Sequence, residues 1–565
     1  MTISGIEAVL EMLSGYGVRH IFGNPGSTEL PLTEALVNHP TIEYILALQE
    51  VPAMAIADGF AQASRSVGVV NLHISCGLGN AMGMLYNAYR EGTPLVVTAG
   101  QQDRRLSFRE PILYGDMLSV AKPWTKWAAE VNCVTDVPAA VRRAVQTAMT
   151  PPTGPVFLSL PIDVQTEVAE LDLTLPRVPD VLVRPPLEAV RQAAGVLAEA
   201  ENPGILVGSR ICEADAVGEL VAVAERLGAP VIHEPATSHG RCSFPSEHPL
   251  FAPLLPFWSP DVRERLMAFD VLLVVGMKLM QQYIYHEPIN AVPKHIRIVQ
   301  LDDDQWELNK NYPIEVGVIG HPKPSLLELD DKLKKAMSTE QAAFAKERLA
   351  KWGEVHTQTR RSLQAKAQSQ REQRPLTPLC LMDSLAQILP EDVAVIEESP
   401  TTTMGGYFER VGALKNTSGY FAQRGWALGW GMGCAVGVQM AWPRRPVLAL
   451  IGDGSAMYGL QALWTAARYQ VPVTFVICNN TEYKILKDCA KVLDLPKAKQ
   501  DQFVGMDIVD PRVDYVGLSN SLGVSACRVE GPEELSEAVK QGLAGDRPRL
   551  IEVGVRRPGE GERDC

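Results

Sequence analysis

The feature that most constrains this chain is a repeated alternation of short, unbroken Val/Ile/Leu runs with helix-length stretches. The 565 residues carry it in three blocks. The first, 1–180, has His20-Ile21-Phe22-Gly23, Tyr44-Ile45-Leu46-Ala47, 67–72, Leu95-Val96-Val97-Thr98 and 156–160. The second, 186–340, has Gly204-Ile205-Leu206-Val207-Gly208, Ala229-Pro230-Val231-Ile232, 271–275 and 296–301. The third, 376–558, has 393–396, 447–451, 473–478 and 550–553. Strands that are apolar on both faces and separated by helices belong to parallel sheets covered on both sides. The expected fold is α/β: three doubly wound parallel-sheet domains. A single core rarely grows past about 250–300 residues, which also points to several domains. Between the second and third blocks, 341–375 is Gln-rich and charged and reads as an exposed helix and linker. The tail from Arg556 to Cys565 reads as frayed.

Composition excludes some functions. A net charge of -13 argues against a nucleic-acid partner, which needs a basic stripe. None of the ten cysteines lies in a C-x-x-C pair, so the zinc pattern is missing and a reducing compartment fits. The N-terminus has neither a basic n-region nor an apolar h-region. No apolar stretch reaches the ~20 residues that span a bilayer. A cytoplasmic protein with no membrane partner is expected. Gly208 follows a strand, yet no G-x-G-x-x-G follows it to support a dinucleotide.

The most informative string is Ile451-Gly452-Asp453-Gly454-Ser455. An apolar strand delivers Asp453 to a sheet edge, and the two glycines leave backbone N–H groups open to a phosphate. A helix expected to begin near Gly459 favours the same anion. The next strand brings Cys478-Asn479-Asn480 back to that edge. Asp453 and Asn480 are hard oxygen donors of the kind Mg²⁺ takes beside phosphate and water. Either string alone is an ordinary turn or strand end. In the order strand, turn, helix, strand they read as a Mg²⁺–diphosphate clamp.

Gly452-Asp453-Gly454 with a following Asn-Asn resembles the diphosphate motif of the thiamine-diphosphate-dependent enzyme family. Within that family the chain resembles the benzoylformate decarboxylase subgroup. The likeness is carried by Phe22-Gly23-Asn24-Pro25-Gly26-Ser27, YILALQE ending at Glu50, ADGFAQAS at 57–64, Asn71-Leu72-His73, Gly79-Asn80-Ala81-Met82-Gly83, Thr98-Ala99-Gly100-Gln101-Gln102 and 462–467. The resemblance covers nearly the whole chain, in the order pyrimidine-binding, middle and diphosphate-binding domain. It implies Mg²⁺ ligation by Asp453, Asn480 and the backbone carbonyl of Glu482. It implies a diphosphate surrounded by Gly454, Ser455, Thr401 and Tyr483, and a cofactor bent by Leu428. Glu398-Ser399-Pro400-Thr401 departs from the subgroup by a proline, which removes a backbone donor.

The resemblance also implies the chemistry. Glu50 would hydrogen-bond the cofactor's aminopyrimidine and promote the ylide. Attack on a 2-oxo acid, loss of CO₂ and protonation of the enamine then give an aldehyde. Ser27 and His73 are the substrate-side candidates, a hydroxyl and an imidazole suited to a carboxylate and a proton near neutral pH. The family's second histidine falls, by simple alignment, at Tyr283 or Ile284, with His286 slightly beyond. That shift opens a lyase or acyloin carboligase as the alternative; the acetolactate synthase pattern fits less well. A non-catalytic cofactor-binding protein would not need Glu50, His73 and the whole metal motif. Ile485 and Leu486 are expected to line the acyl pocket. Lys484 and Lys487 are expected to be solvated, or to meet an anionic substrate such as an acyl-CoA. The family's sites join two subunits, so a homo-oligomer, a dimer of dimers, acting on a small carbonyl substrate is implied.

Overall fold

The computed structural model describes residues 1–176, 182–234, 240–281, 283–403 and 406–556. The frayed tail expected beyond Arg556 lies outside these residues. Three six-stranded sheets, each wholly parallel, form the frame of three α/β domains. The first runs Glu43–Leu46, His20–Gly23, Gly68–Leu72, Leu95–Gln101, Val156–Pro161, Trp127–Glu130. The third runs Tyr420–Ala422, Ala394–Glu398, Val447–Gly452, Val473–Asn479, Arg549–Gly554, Ser525–Val529. Counted within each sheet, both have the order 2-1-3-4-6-5. The middle sheet differs: Phe251–Ala252, Val231–His233, Pro203–Val207, Val271–Val275, Arg297–Asp302, Val316–Ile319, or 3-2-1-4-5-6. Reversal of strand order beside the first strand opens a crevice at the carboxyl edge, where open α/β sheets bind ligands.

The first and third domains share one core. Helix Glu50–Ser64 packs directly on helix Trp430–Ala441, and small residues let the backbones touch: a Cβ on Gly437 would sit 1.9 Å from the Ile56 carbonyl oxygen. Trp430 Nε1 donates to the buried Asp58 carboxylate at 2.6 Å across the same contact. Near the sheet edge, Leu46 donates its N–H to the Tyr469 hydroxyl (2.9 Å), and the Thr465 hydroxyl donates to the Leu46 carbonyl (3.2 Å). The end of the first domain's edge strand is thereby tied to helix Ala462–Arg468 of the third.

The stretch read as exposed helix and linker contains one helix, Thr339–Ser369. Ser338 caps it reciprocally with Gln341. Only Ala345, Leu363 and Ala367 are buried along it. Arg348 donates to the Leu227 carbonyl at one end; Arg360 donates to the Ser246 and Arg410 carbonyls toward the other. The helix thus straps the middle domain to the third. Among the described residues, no helix is long and apolar enough to cross a membrane.

Candidate active site

Two constellations lie at the carboxyl edges of the first and third sheets. In the first, the edge strand ends at Leu46, and Glu50 is the opening residue of helix Glu50–Ser64. Glu50 therefore opens a helix, past the end of the apolar strand that precedes it. Gln49 caps the helix through Val51 N–H, and a carboxylate suits that first turn. Glu50 is buried and accepts a hydrogen bond from Asn80 Nδ2 at 3.1 Å.

His73 lies between the strand Gly68–Leu72 and helix Ile74–Glu91, at the helix's N-cap position. Its Nδ1 stands 2.8 Å from Glu29 Oε2. Glu29 is fully enclosed and also accepts from Gly26 N–H (3.1 Å), Gly100 N–H (2.9 Å) and the Thr28 hydroxyl (2.8 Å). The loop must approach the imidazole closely: a Cβ on Gly26 would lie 1.9 Å from His73 Nδ1. Ile74 takes φ 40°, an outlier for a β-branched residue, directly after the histidine. Ser27 opens a short 3₁₀ turn, Ser27–Glu29, and is exposed. Gly77 links the group to Glu50. Its N–H donates to the His73 carbonyl at 2.7 Å, and a Cβ on it would lie 3.3 Å from Glu50 Oε1.

The second constellation is built on the third sheet. Helix Asp453–Gly459 begins at Asp453 itself, earlier than the start expected near Gly459; a second helix, Ala462–Arg468, follows. Gly452 keeps an extended backbone and caps the first helix, so Asp453 falls in its first turn. The Asp453 carboxylate accepts Gly454 N–H (2.9 Å) and Thr481 N–H (2.7 Å). Burial pushes its pKa up to about 6 against those two bonds. The Tyr515 hydroxyl donates to the Asp453 carbonyl at 2.8 Å. Asn480 is buried, and its Oδ1 accepts Glu482 N–H at 3.1 Å. Tyr483 lays its ring over Gly454, with Cε1 2.5 Å from where a Cβ would be. Ser455 is buried beside them. Thr401 lies in the short helix Pro400–Thr403. Pro400 opens that helix, where a missing N–H costs no helical hydrogen bond.

The role of Glu398 went unread in the sequence. Glu398 is buried and accepts N–H bonds from Gly429 (2.9 Å), Trp430 (3.2 Å) and Gly431 (2.8 Å), as well as from Gln423 Nε2 (2.9 Å). Burial holds its pKa at about 8. This carboxyl caps helix Trp430–Ala441 and positions the adjacent Leu428. Glu-Glu at the end of an apolar strand was the one available signal. Lys487 is not solvated: it is buried and bridges Glu482 and Asp507. Lys484 pairs with Asp488. Leu486 is exposed. In the middle-domain segment, Tyr283 joins an aromatic group with Phe257 and Trp426, while His286 meets Trp258 edge-on at 5.0 Å. Gln282 lies outside the described residues.

The donor set fits a divalent ion and a diphosphate. Asp453 is a buried carboxylate bonded to backbone N–H groups, and Asn480 supplies an amide oxygen beside it. Among the described residues no group of three or more His, Cys, Asp or Glu could hold a metal, so such an ion would be completed by backbone and phosphate oxygens.

Fold and donor set together define a thiamine-pyrophosphate enzyme. The N-terminal TPP binding domain model of that family matches residues 3–112, the central domain 190–329 and the C-terminal TPP binding domain 402–553. The chain belongs to this family. It is 35% identical over 553 residues to the benzoylformate decarboxylase of Pseudomonas aeruginosa, covering 97% of this chain and 98% of that one. A solved thiamine diphosphate-dependent 4-hydroxybenzoylformate decarboxylase from Rhodococcus jostii superposes with a TM-score of 0.85 at 31% identity, covering 98% of this chain and all of that one. A probable acetolactate synthase large subunit of Methanocaldococcus jannaschii is 26% identical over 98% of this chain and 92% of its own. The protein is thus a thiamine-pyrophosphate-dependent enzyme of decarboxylase-like kinship.

Proposed function

We propose that this enzyme decarboxylates a 2-oxo acid of the benzoylformate type to an aldehyde without oxidation, using thiamine diphosphate and Mg²⁺. The observation that supports the reading is the set Glu29, His73, Ser27 and Glu50 at one sheet edge, with Glu29 paired to His73 and Gly77 touching both His73 and Glu50. Thiamine diphosphate supplies a carbon nucleophile and an electron sink for the charge left when CO₂ departs. The chain's residues do the rest. Asp453, Asn480 and the Glu482 carbonyl would hold Mg²⁺; Gly454, Ser455, Thr401 and Tyr483 would surround the diphosphate. Leu428, fixed by the Glu398 cap, would wedge the cofactor. Glu50 would hydrogen-bond the aminopyrimidine. Glu29 holds His73 through Nδ1, which leaves Nε2 to move a proton at the substrate. Ser27 offers an exposed hydroxyl to the substrate carboxylate. His286 is assigned the second proton role, with Tyr283 the competing group in the same segment.

A second reading, acyloin carboligase or 2-hydroxyacyl lyase, is favoured by the tyrosine at 283 and by the acetolactate synthase relative. A panel of 2-oxo acids and 2-hydroxyacyl thioesters decides between them. Release of CO₂ with aldehyde supports the decarboxylase; aldehyde without CO₂ supports the lyase. We further propose domain limits of 1–180, 186–340 and 376–558, and a cytoplasmic enzyme. All nine cysteines among the described residues are free thiols, which supports a reducing compartment. The Glu50 and Asp453 groups sit on different domains, and the proposed active unit is a dimer that joins the first domain of one copy to the third of another, within a dimer of dimers.

A further inference from the structure

Trp426 has a backbone conformation that bulky residues rarely adopt. Its φ is 65°, in the left-handed region. Such a residue persists only where its surroundings over-determine it. Here the turn is pinned on both sides. Asn87, completely buried, reaches across from the first domain: its Oδ1 accepts Ala427 N–H at 3.0 Å, and its Nδ2 donates to the Ala427 carbonyl at 2.8 Å. The approach is so close that a Cβ on Gly425 would lie 2.2 Å from Asn87 Oδ1. Past Leu428, the Glu398 carboxyl captures the next three N–H groups.

The pinned turn sets the indole against two middle-domain rings. Tyr283 lies 5.6 Å away at a 32° tilt, and Phe257 lies 6.1 Å away, nearly edge-on. Phe257 also meets Tyr283 edge-on at 6.1 Å. All three keep part of their surface open, Tyr283 as much as 40%. Trp426 and Phe257 line a cavity together with Leu428, Pro400 and Thr403. Pro400 and Thr403 bracket Thr401, so this aromatic surface borders the crevice assigned to the cofactor. Core packing alone does not call for a strained tryptophan at that border.

We infer that Trp426, with Phe257 and Tyr283, is the specificity-determining wall of this enzyme and receives a flat aryl substituent of the substrate. This rests on the 2-oxo acid reading for the substrate's reacting end, but not for the wall's chemistry. Ring quadrupoles favour offset-stacked and edge-to-face contact, so the wall prefers an aryl ring to a saturated ring of similar size.

The test uses the enzyme reconstituted with thiamine diphosphate and Mg²⁺ and two unreactive carboxylates, phenylacetate and cyclohexylacetate, titrated calorimetrically. The native enzyme is expected to bind phenylacetate about three- to tenfold more tightly than its saturated counterpart. That ratio is expected to fall to about one in Trp426→Leu and in Trp426→Gly. Glycine suits the positive φ, so it decides alone if the leucine variant does not fold. A ratio of one in the native enzyme, no binding of phenylacetate, or a ratio retained in the folded variants overturns the inference. CO₂ release from 2-oxo acids is measured in parallel. A ratio that follows Trp426 without any CO₂ release sinks the decarboxylase reading and leaves the wall standing. CO₂ release with a ratio indifferent to Trp426 does the reverse.

Discussion

Glu29 Oε2 and His73 Nδ1 stand 2.8 Å apart, the carboxylate fully enclosed and the imidazole partly open. The pair joins a loop after one strand to the end of its neighbour in the sheet. A buried carboxylate at that distance orients the ring and fixes which nitrogen faces the protein interior. Glu29→Gln keeps an acceptor but removes the charge. CO₂ release at saturating substrate is expected to fall about ten- to a hundredfold, as for loss of an acid–base partner. An unchanged kcat would remove Glu29 from the mechanism.

Glu50→Gln should keep the fold, because the Asn80 hydrogen bond still finds an oxygen acceptor. Exchange of the cofactor's C2 hydrogen, followed by NMR, is expected to slow by about a hundredfold or more if the carboxylate drives it. Exchange at the native rate would assign Glu50 a purely structural part.

Asp453→Ala takes away a hard oxygen donor and leaves Thr481 N–H to Asn479 Oδ1, which already accepts it at 3.1 Å. Cofactor affinity in Mg²⁺ buffer should drop well over tenfold, while Asp453→Asn, which keeps an oxygen toward Thr481, should separate metal binding from stability. Native affinity in the alanine variant contradicts the clamp.

Glu398 gives a prediction with a definite sign. Burial raises its pKa from 4.5 to about 8, against the pull of three backbone N–H groups. Between those values the folded protein keeps a proton that the unfolded chain has released. The stability tied to the neutral form is fully present below the unfolded pKa and is lost as pH rises through about 8. Melting temperatures are expected to fall across that window and to fall less steeply in Glu398→Gln. Some slope remains, because Glu91, Glu234 and Glu409 are also held up to about 7. A variant with the native pH slope would show that Glu398 does not titrate there.

Gly437→Ala places a Cβ 1.9 Å from the Ile56 carbonyl in the contact between the first and third domains. Overpacking of this kind costs about 1–3 kcal/mol. Chemical denaturation should register a loss of that order; a neutral result would mean that the two helices slide apart freely.

Much of the frame was legible without coordinates. Runs such as 95–98 and 473–478 are apolar on both faces, and only a buried parallel strand uses that pattern well. The glycines around Asp453 and the return to Asn480 marked one sheet edge, because a strand, a turn, a helix and a strand must bring the chain back to it. Local start points were harder. Glu50 and Asp453 both open helices, since an acidic residue suits a helix's first turn as well as a strand's end.

The sequence by itself determined what is periodic or local: the three α/β blocks, the glycine-bracketed Asp453 and the residue types available for chemistry. The tertiary structure alone decided the meetings between distant segments. Glu29 reaches His73, Glu398 caps the helix behind Leu428, Asn87 clamps the Trp426 turn, and Lys487 is buried between two carboxylates. The reason is physical. Strand periodicity specifies which side chains are buried. Which buried groups meet depends on strand order and on close backbone approach between domains, and neither leaves a periodic trace along the chain.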